Sequence, residues 1–308
     1  MDAFSTEEAC ARYLEQLRWP EGFVCSKCGA IEPPYRATRG RLMCRHCCHQ
    51  ASVTAGTVLD KTRTPLRTWF AAAWCVTHQK QGVSALGLQR VLGIASYETA
   101  WALLHRLRRA MVRPERTRLC GCVEVDEMYL AITDRQVPVS KAGRKSNTTQ
   151  TIVALAVERL DPKGFGRIRL RRLPRDSKEY VLPFIQEAVA PGSQVHTDGS
   201  AAYRELAEHG YEHHPTVMLG APRPAHERLP GVHRVAAMLQ RWILGTHHGA
   251  VQPAHLDEYL NEFVFRFNRR AARSRGLLFY RLMQQAVATD PVIYTNLIRP
   301  APTVHSHG

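Results

Sequence analysis

The chain has 308 residues, 44% of them hydrophobic, with 42 Lys and Arg against 27 Asp and Glu, a formal net charge of +15 and a pI near 9.8. That length suits two or three units rather than one core, and so positive a field attracts polyanions, which makes nucleic acid the default partner. No apolar run approaches the length of a membrane span and the first residues (Met-Asp-Ala-Phe-Ser-Thr) lack a basic, apolar signal segment, so a membrane protein is excluded and a cytoplasmic one expected.

Ser5 or Thr6 followed by Glu7 and Glu8 forms a capping pattern, and Ala9, Tyr13, Leu14 and Leu17 recur at helical spacing. These residues predict a leading helix within 1–20. From Trp19 the texture turns to Pro, Gly, Cys and Arg. Cys25-Ser-Lys-Cys28 and Cys44-Arg-His-Cys47 stand fifteen residues apart, the separation at which one hairpin-built ribbon closes a tetrahedral thiolate site. The expectation for 21–58 is a zinc ribbon whose Zn²⁺, held by Cys25, Cys28, Cys44 and Cys47, is structural, since catalytic zinc keeps a position open. His46 and Cys48 are spare donors that could replace Cys47. The alternative is four free cysteines of a reduced protein.

Residues 62–118 read as helical. Pro65 fits a first helical position, and Trp69, Phe70, Ala73, Trp74 and Val76 make a packing face over 66–79. A helix over 82–92, a break at Gly93-Ile-Ala and a helix from Ser96 form a helix-turn-helix-like pair. Ala100, Leu103, Leu104, Leu107 and Met111 face inward, leaving His105, Arg106 and Arg109 outward. Arg106 and Arg109 are candidate DNA-phosphate contacts, or else part of a solvated face.

After Leu119 strands and helices alternate. Gly121 to Leu130 alternates apolar and acidic residues as a strand does, placing Glu124 and Asp126 on one face and Val123, Val125 and Glu127 on the other. A carboxylate buried in a strand costs several kcal/mol unless a cation or metal offsets it, so Asp126 is the first functional candidate. An edge strand whose acids meet water is the alternative. A basic loop follows at 141–147. Strands over 149–158 and 166–173, a helix from Asp176 or Ser177 to Val189 and a strand at 194–198 come next, the last delivering Asp198 at its end. A helix over 200–209, a strand over 211–219, a Pro-rich loop over 220–230 and a helix over 232–244 close the series.

Three strands, helix, strand, helix, strand, helix is the order of ribonuclease-H-like folds, an α/β class in which acids from separated elements meet. The chain resembles bacterial insertion-sequence transposases that join a zinc ribbon to a DDE-type integrase domain. The matching stretches are the two Cys pairs, Val123-Glu-Val-Asp126-Glu-Met-Tyr129, His196-Thr-Asp198-Gly-Ser-Ala-Ala-Tyr203, Val232-His233 through Arg241 to Gly245-Thr-His247, and Tyr259 to Arg270. The resemblance implies a catalytic domain over 120–285 and a tail over 286–308. It also implies Mg²⁺ or Mn²⁺ held by Asp126 and Asp198, cleavage at transposon terminal repeats and strand transfer into target DNA. A homo-oligomer on DNA, in the cytoplasm and associated with the nucleoid, is the implied setting. Where the family has Glu, this chain has His233, an imidazole better suited to Mn²⁺ or to proton transfer than to Mg²⁺. Glu227 is the rival third ligand. Arg241, two turns beyond His233, would bind DNA phosphate. The missing acid leaves open a catalytically inactive zinc-ribbon DNA-binding protein or regulator derived from a transposase.

Overall fold

The structure is a computed structural model that describes residues 2–113, 116–134, 148–160, 164–216 and 228–298. It divides into two compact units, Met1–Arg113 with Ala272–Gly308, and Pro114–Ala271.

In the first unit α1 spans Glu7–Arg18, with Thr6 as N-cap accepting from the Ala9 N–H at 3.1 Å. Its Cys10 and Leu14 are buried. Three short antiparallel strands, β1 (Tyr35–Arg36), β2 (Leu42–Met43) and β3 (Gln50–Ala51), make the ribbon. Helices α2 (Leu66–His78), α3 (Ala85–Leu92) and α4 (Tyr97–Arg109) follow. Gly93 takes a left-handed conformation between α3 and α4 (φ 62°), which a side chain would strain, and Ser96 caps α4 through the Thr99 N–H. The expected helix pair is present, with one correction. His105 is fully buried rather than outward, its ring 4.0 Å from that of Trp101 and its Nε2 3.2 Å from the Arg108 guanidinium. Periodicity assigns a charged residue outward, and here a ring contact and a guanidinium one turn on outweigh that preference.

The second unit is a five-stranded sheet in the order β6-β5-β4-β7-β8: β4 (Cys122–Thr133), β5 (Thr148–Arg159), β6 (Phe165–Leu173), β7 (Gln194–Thr197) and β8 (Glu212–Pro215). β4 to β6 pair antiparallel, while β7 and β8 join in parallel. This is the ribonuclease-H-like order. α5 (Lys178–Ala188) covers one face, where Val181, Phe184 and Ile185 pack with Val123, Val125 and Val195. The other face buries Leu130, Ile132 and Leu155 against α6 (Pro230–His247) and α7 (Leu256–Phe267).

The helix expected over 200–209 is a single 3₁₀ turn, Ala201–Tyr203, followed by turns. Left-handed Gly199 and Gly210 bound that stretch and only Tyr203 and Leu206 are buried within it, too narrow a stripe to hold a helix on the sheet. The basic loop at 141–147, Glu227 and the last ten residues lie outside the described residues, as does most of the Pro-rich loop. The boundary expected at 285 also moves. α8 (Arg275–Ala288) belongs to the first unit, where the Phe279 ring lies 5.7 Å from those of Phe4 and Phe70, and a short α9 (Tyr294–Ile298) follows.

Candidate metal centres

Two knuckles of the same shape build the cysteine site. The Gly29 N–H donates to Cys25 O at 2.9 Å, and the Cys48 N–H donates to Cys44 O at 3.0 Å. Gly29 and Cys48 both adopt positive φ, so Cys48 is the second knuckle's turn residue. Cys25 Sγ lies 3.6 Å from Cys47 Sγ, Cys28 Sγ lies 3.7 Å from Cys44 Sγ, and all four fall within 4.8 Å of one another. Cys48 and His46 stand outside this set and are exposed. Four soft thiolates at that spacing fit tetrahedral Zn²⁺.

The acidic site rests on strand register. Parallel pairing of β4 and β7 runs to Glu124 opposite His196, so two residues further along, on the same face, Asp126 comes beside Asp198. Each carboxylate takes a nearby backbone N–H: Asp126 Oδ1 accepts from Glu127 N and Asp198 Oδ1 from Ser200 N, both at 2.9 Å. Burial, reinforced by Asp198, Asp176 and Glu124, pushes the Asp126 carboxyl up to about 6. Glu127, on the opposite face, is pushed up to about 8, again chiefly by burial and then by Asp176, Asp126 and Asp198, although Tyr203 donates its hydroxyl to Glu127 at 2.6 Å. The acids therefore crowd one end of the sheet, where burial first and neighbouring carboxylates second disfavour the charged forms of Asp126 and Glu127.

α6 reaches the same strand at Glu124. This carboxylate is fully buried and accepts from Gly231 N at 2.6 Å and Val232 N at 3.0 Å, while its Oε1 lies 3.4 Å from Arg159 Nε. His233 follows in the same helical turn, half-buried, with its Nε2 buried. Asp126, Asp198 and His233 do not form a set with all ligand atoms within 4.8 Å, among the described residues. The helix start is pinned to β4 at Glu124, two residues or about 7 Å along the strand from Asp126.

The expected phosphate contacts divide. Arg109 and Arg241 are exposed, and Arg241 Nε donates to Ala237 O at 3.3 Å. Arg106 is half-buried and lines a cleft of about 340 Å³ with Lys61, Arg63 and Glu98. Near the end of α7, Arg266 pairs with Glu262, while the Arg269 guanidinium lies 4.0 Å over Phe265 and that of Arg270 lies 4.0 Å over Phe267. His196 stacks on His214 at 4.8 Å. Glu124, Glu127 and Asp176 went unassigned in the sequence, although Glu124-x-Asp126-Glu127 carried the signal: three acids in four positions of a strand that is otherwise apolar.

Residues 118–268 match the ISXO2-like transposase domain, and residues 5–50 match the transposase zinc-ribbon domain. An uncharacterized protein in transposable element ISH50 of Halobacterium salinarum is 26% identical over 277 residues, covering 85% of this chain and 91% of its own. That relative is archaeal, so the likeness is not confined to bacteria. A solved structure, the Mos1 strand transfer complex, is 14% identical with a TM-score of 0.28, covering 71% of this chain and 75% of that one.

Proposed function

Because this chain belongs to the ISXO2-like transposases, we propose that it is a catalytically active DNA transposase that cuts at transposon terminal repeats and joins the freed ends to target DNA. The observation that carries this reading is the strand register that brings Asp126 beside Asp198 at one sheet end, where burial chiefly pushes Asp126 up to about 6. Carboxylate oxygens are the hard donors that Mg²⁺ and Mn²⁺ take, so the donor set fits a divalent cation. When bound, such an ion supplies positive charge to the phosphodiester and lowers the pKa of an attacking hydroxyl.

In this reading Asp126 and Asp198 hold the ion. His233 stands third, as a ligand or as the group that moves a proton, and Arg241 steadies a phosphate two turns further along α6. Hydrolysis at each end frees a 3′ hydroxyl that attacks the target, with no covalent enzyme intermediate. The zinc ribbon and the helical region with Arg106 and Arg109 bind the terminal repeats, in a homo-oligomer acting on nucleoid DNA in the cytoplasm.

The test is donor-strand cleavage and joining in Mg²⁺ and in Mn²⁺. Asp126→Ala and Asp198→Ala should each lose at least about 10³-fold in cleavage while still binding ends, the loss typical when a metal-held transition state is removed. Full activity in either variant would end the mechanism. One observation favours a second reading, a DNA-binding regulator that does not cut: the three ligand atoms do not converge within 4.8 Å. Absence of cleavage by the parent protein in both metals would select it. Raised activity in His233→Glu would mark that position as a ligand site.

A further inference from the structure

The helix that carries His233 begins without a cap of its own. Leu229 occupies the N-cap position with no side-chain hydrogen bond, and Pro230 opens the first turn. Free N–H groups at a helix start need an acceptor, and the aligned peptide dipoles favour a negative one. The acceptor comes from 107 residues earlier, where Glu124 Oε2 receives the Gly231 and Val232 N–H groups at 2.6 and 3.0 Å. The fit is close, because a Cβ added at Gly231 would sit 2.8 Å from Glu124 Oε2 and 3.2 Å from the Phe165 ring. Glu124 lies one pleat period from Asp126 on the same face of β4.

We infer that Glu124 is a positioning residue: it locks the first turn of α6 to β4 and so sets where His233 stands relative to the aspartate pair. The inference rests on the reading of Asp126 and His233 as site residues. It extends that reading, since the Glu124 carboxylate is engaged by the Gly231 and Val232 N–H groups and by Arg159. Groups that orient a ligand commonly change metal affinity ten- to a hundredfold when removed.

The experiment uses the full chain and reads two quantities, Mn²⁺ binding by electron paramagnetic resonance and hydrogen exchange of the Gly231 and Val232 amides, with Asp126→Ala defining the site-specific Mn²⁺. Glu124→Gln keeps an acceptor oxygen and should hold Mn²⁺ within about threefold of the parent. Glu124→Ala should weaken Mn²⁺ about tenfold or more and speed exchange at both amides. Gly231→Ala, which retains Glu124 and crowds its oxygen, should weaken Mn²⁺ in the same direction. Parent-like Mn²⁺ binding in Glu124→Ala, with faster exchange, reduces Glu124 to a plain helix cap and overturns the inference. His233→Ala separates the layers: parent-like Mn²⁺ binding there sinks the third-residue reading, whereas loss in His233→Ala with none in Glu124→Ala sinks this inference alone.

Discussion

The thiols of the ribbon and the carboxylates of the sheet are both candidate ligand sets, built in opposite ways. Cys25, Cys28, Cys44 and Cys47 are gathered by two copies of one local turn, each closed by a backbone hydrogen bond four residues long. Asp126 and Asp198 meet only because β7 lies parallel to β4 in one register, and Asp176 joins them from the loop after β6. The first site is encoded where it stands. The second exists only once the sheet has formed, and burial there raises Asp126. A local motif tolerates change elsewhere in the chain, while a register-built site depends on every residue that sets the pairing.

The largest effect that would break this contrast comes from the ribbon. Cys44→Ser should remove bound zinc, measured by metal analysis, and unfold residues 21–58, because so small a segment has too little core without its ion. The sheet's hydrogen-exchange protection should stay as it was; a collapse of protection across β4 and β5 would show that the thiolate site is not locally self-sufficient. Next is pH. Asp126 and Glu127 are raised to about 6 and about 8, so the metal-free sheet gains stability from their protonated forms below the ordinary carboxylate range and loses it as pH rises through those values. Thermal melts of metal-free protein should therefore fall from pH 5 to pH 8, and added Mg²⁺ should restore the upper end. Insensitivity to both would show that the acids do not share a site. The smallest effect is Tyr203→Phe, which removes the hydroxyl donated to Glu127 and should cost about 1–2 kcal/mol in urea denaturation.

The same contrast explains what the sequence made legible. The Cys spacing picked out the ribbon and the four sulfurs that converge in it, and the alternation from Val123 to Leu130 put Asp126 and Glu127 on opposite faces, as found. Capping at Ser96 and the break at Gly93 delimited the helix pair. What remained hidden was long-range. Nothing near Glu124 says that its carboxylate caps a helix beginning at Pro230, and nothing near Arg275 says that α8 packs beside α1 and α2. Burial of His105 and Arg108 follows from partners that periodicity does not contain. The segment after Ser200 has helix-forming residues, yet the sheet offers it only the footing of Tyr203 and Leu206.

The placement of α8 bears on how the molecule is made. Phe4, Tyr13, Phe70 and Trp74 pack against the ring of Phe279, which is translated only after the entire sheet unit. On the ribosome the nested unit can reach its native state while the flanking one is still waiting for its closing helix. A nascent chain stalled before residue 275 would therefore carry a finished sheet and a half-assembled aromatic nest, a species that chaperones and proteases would meet first.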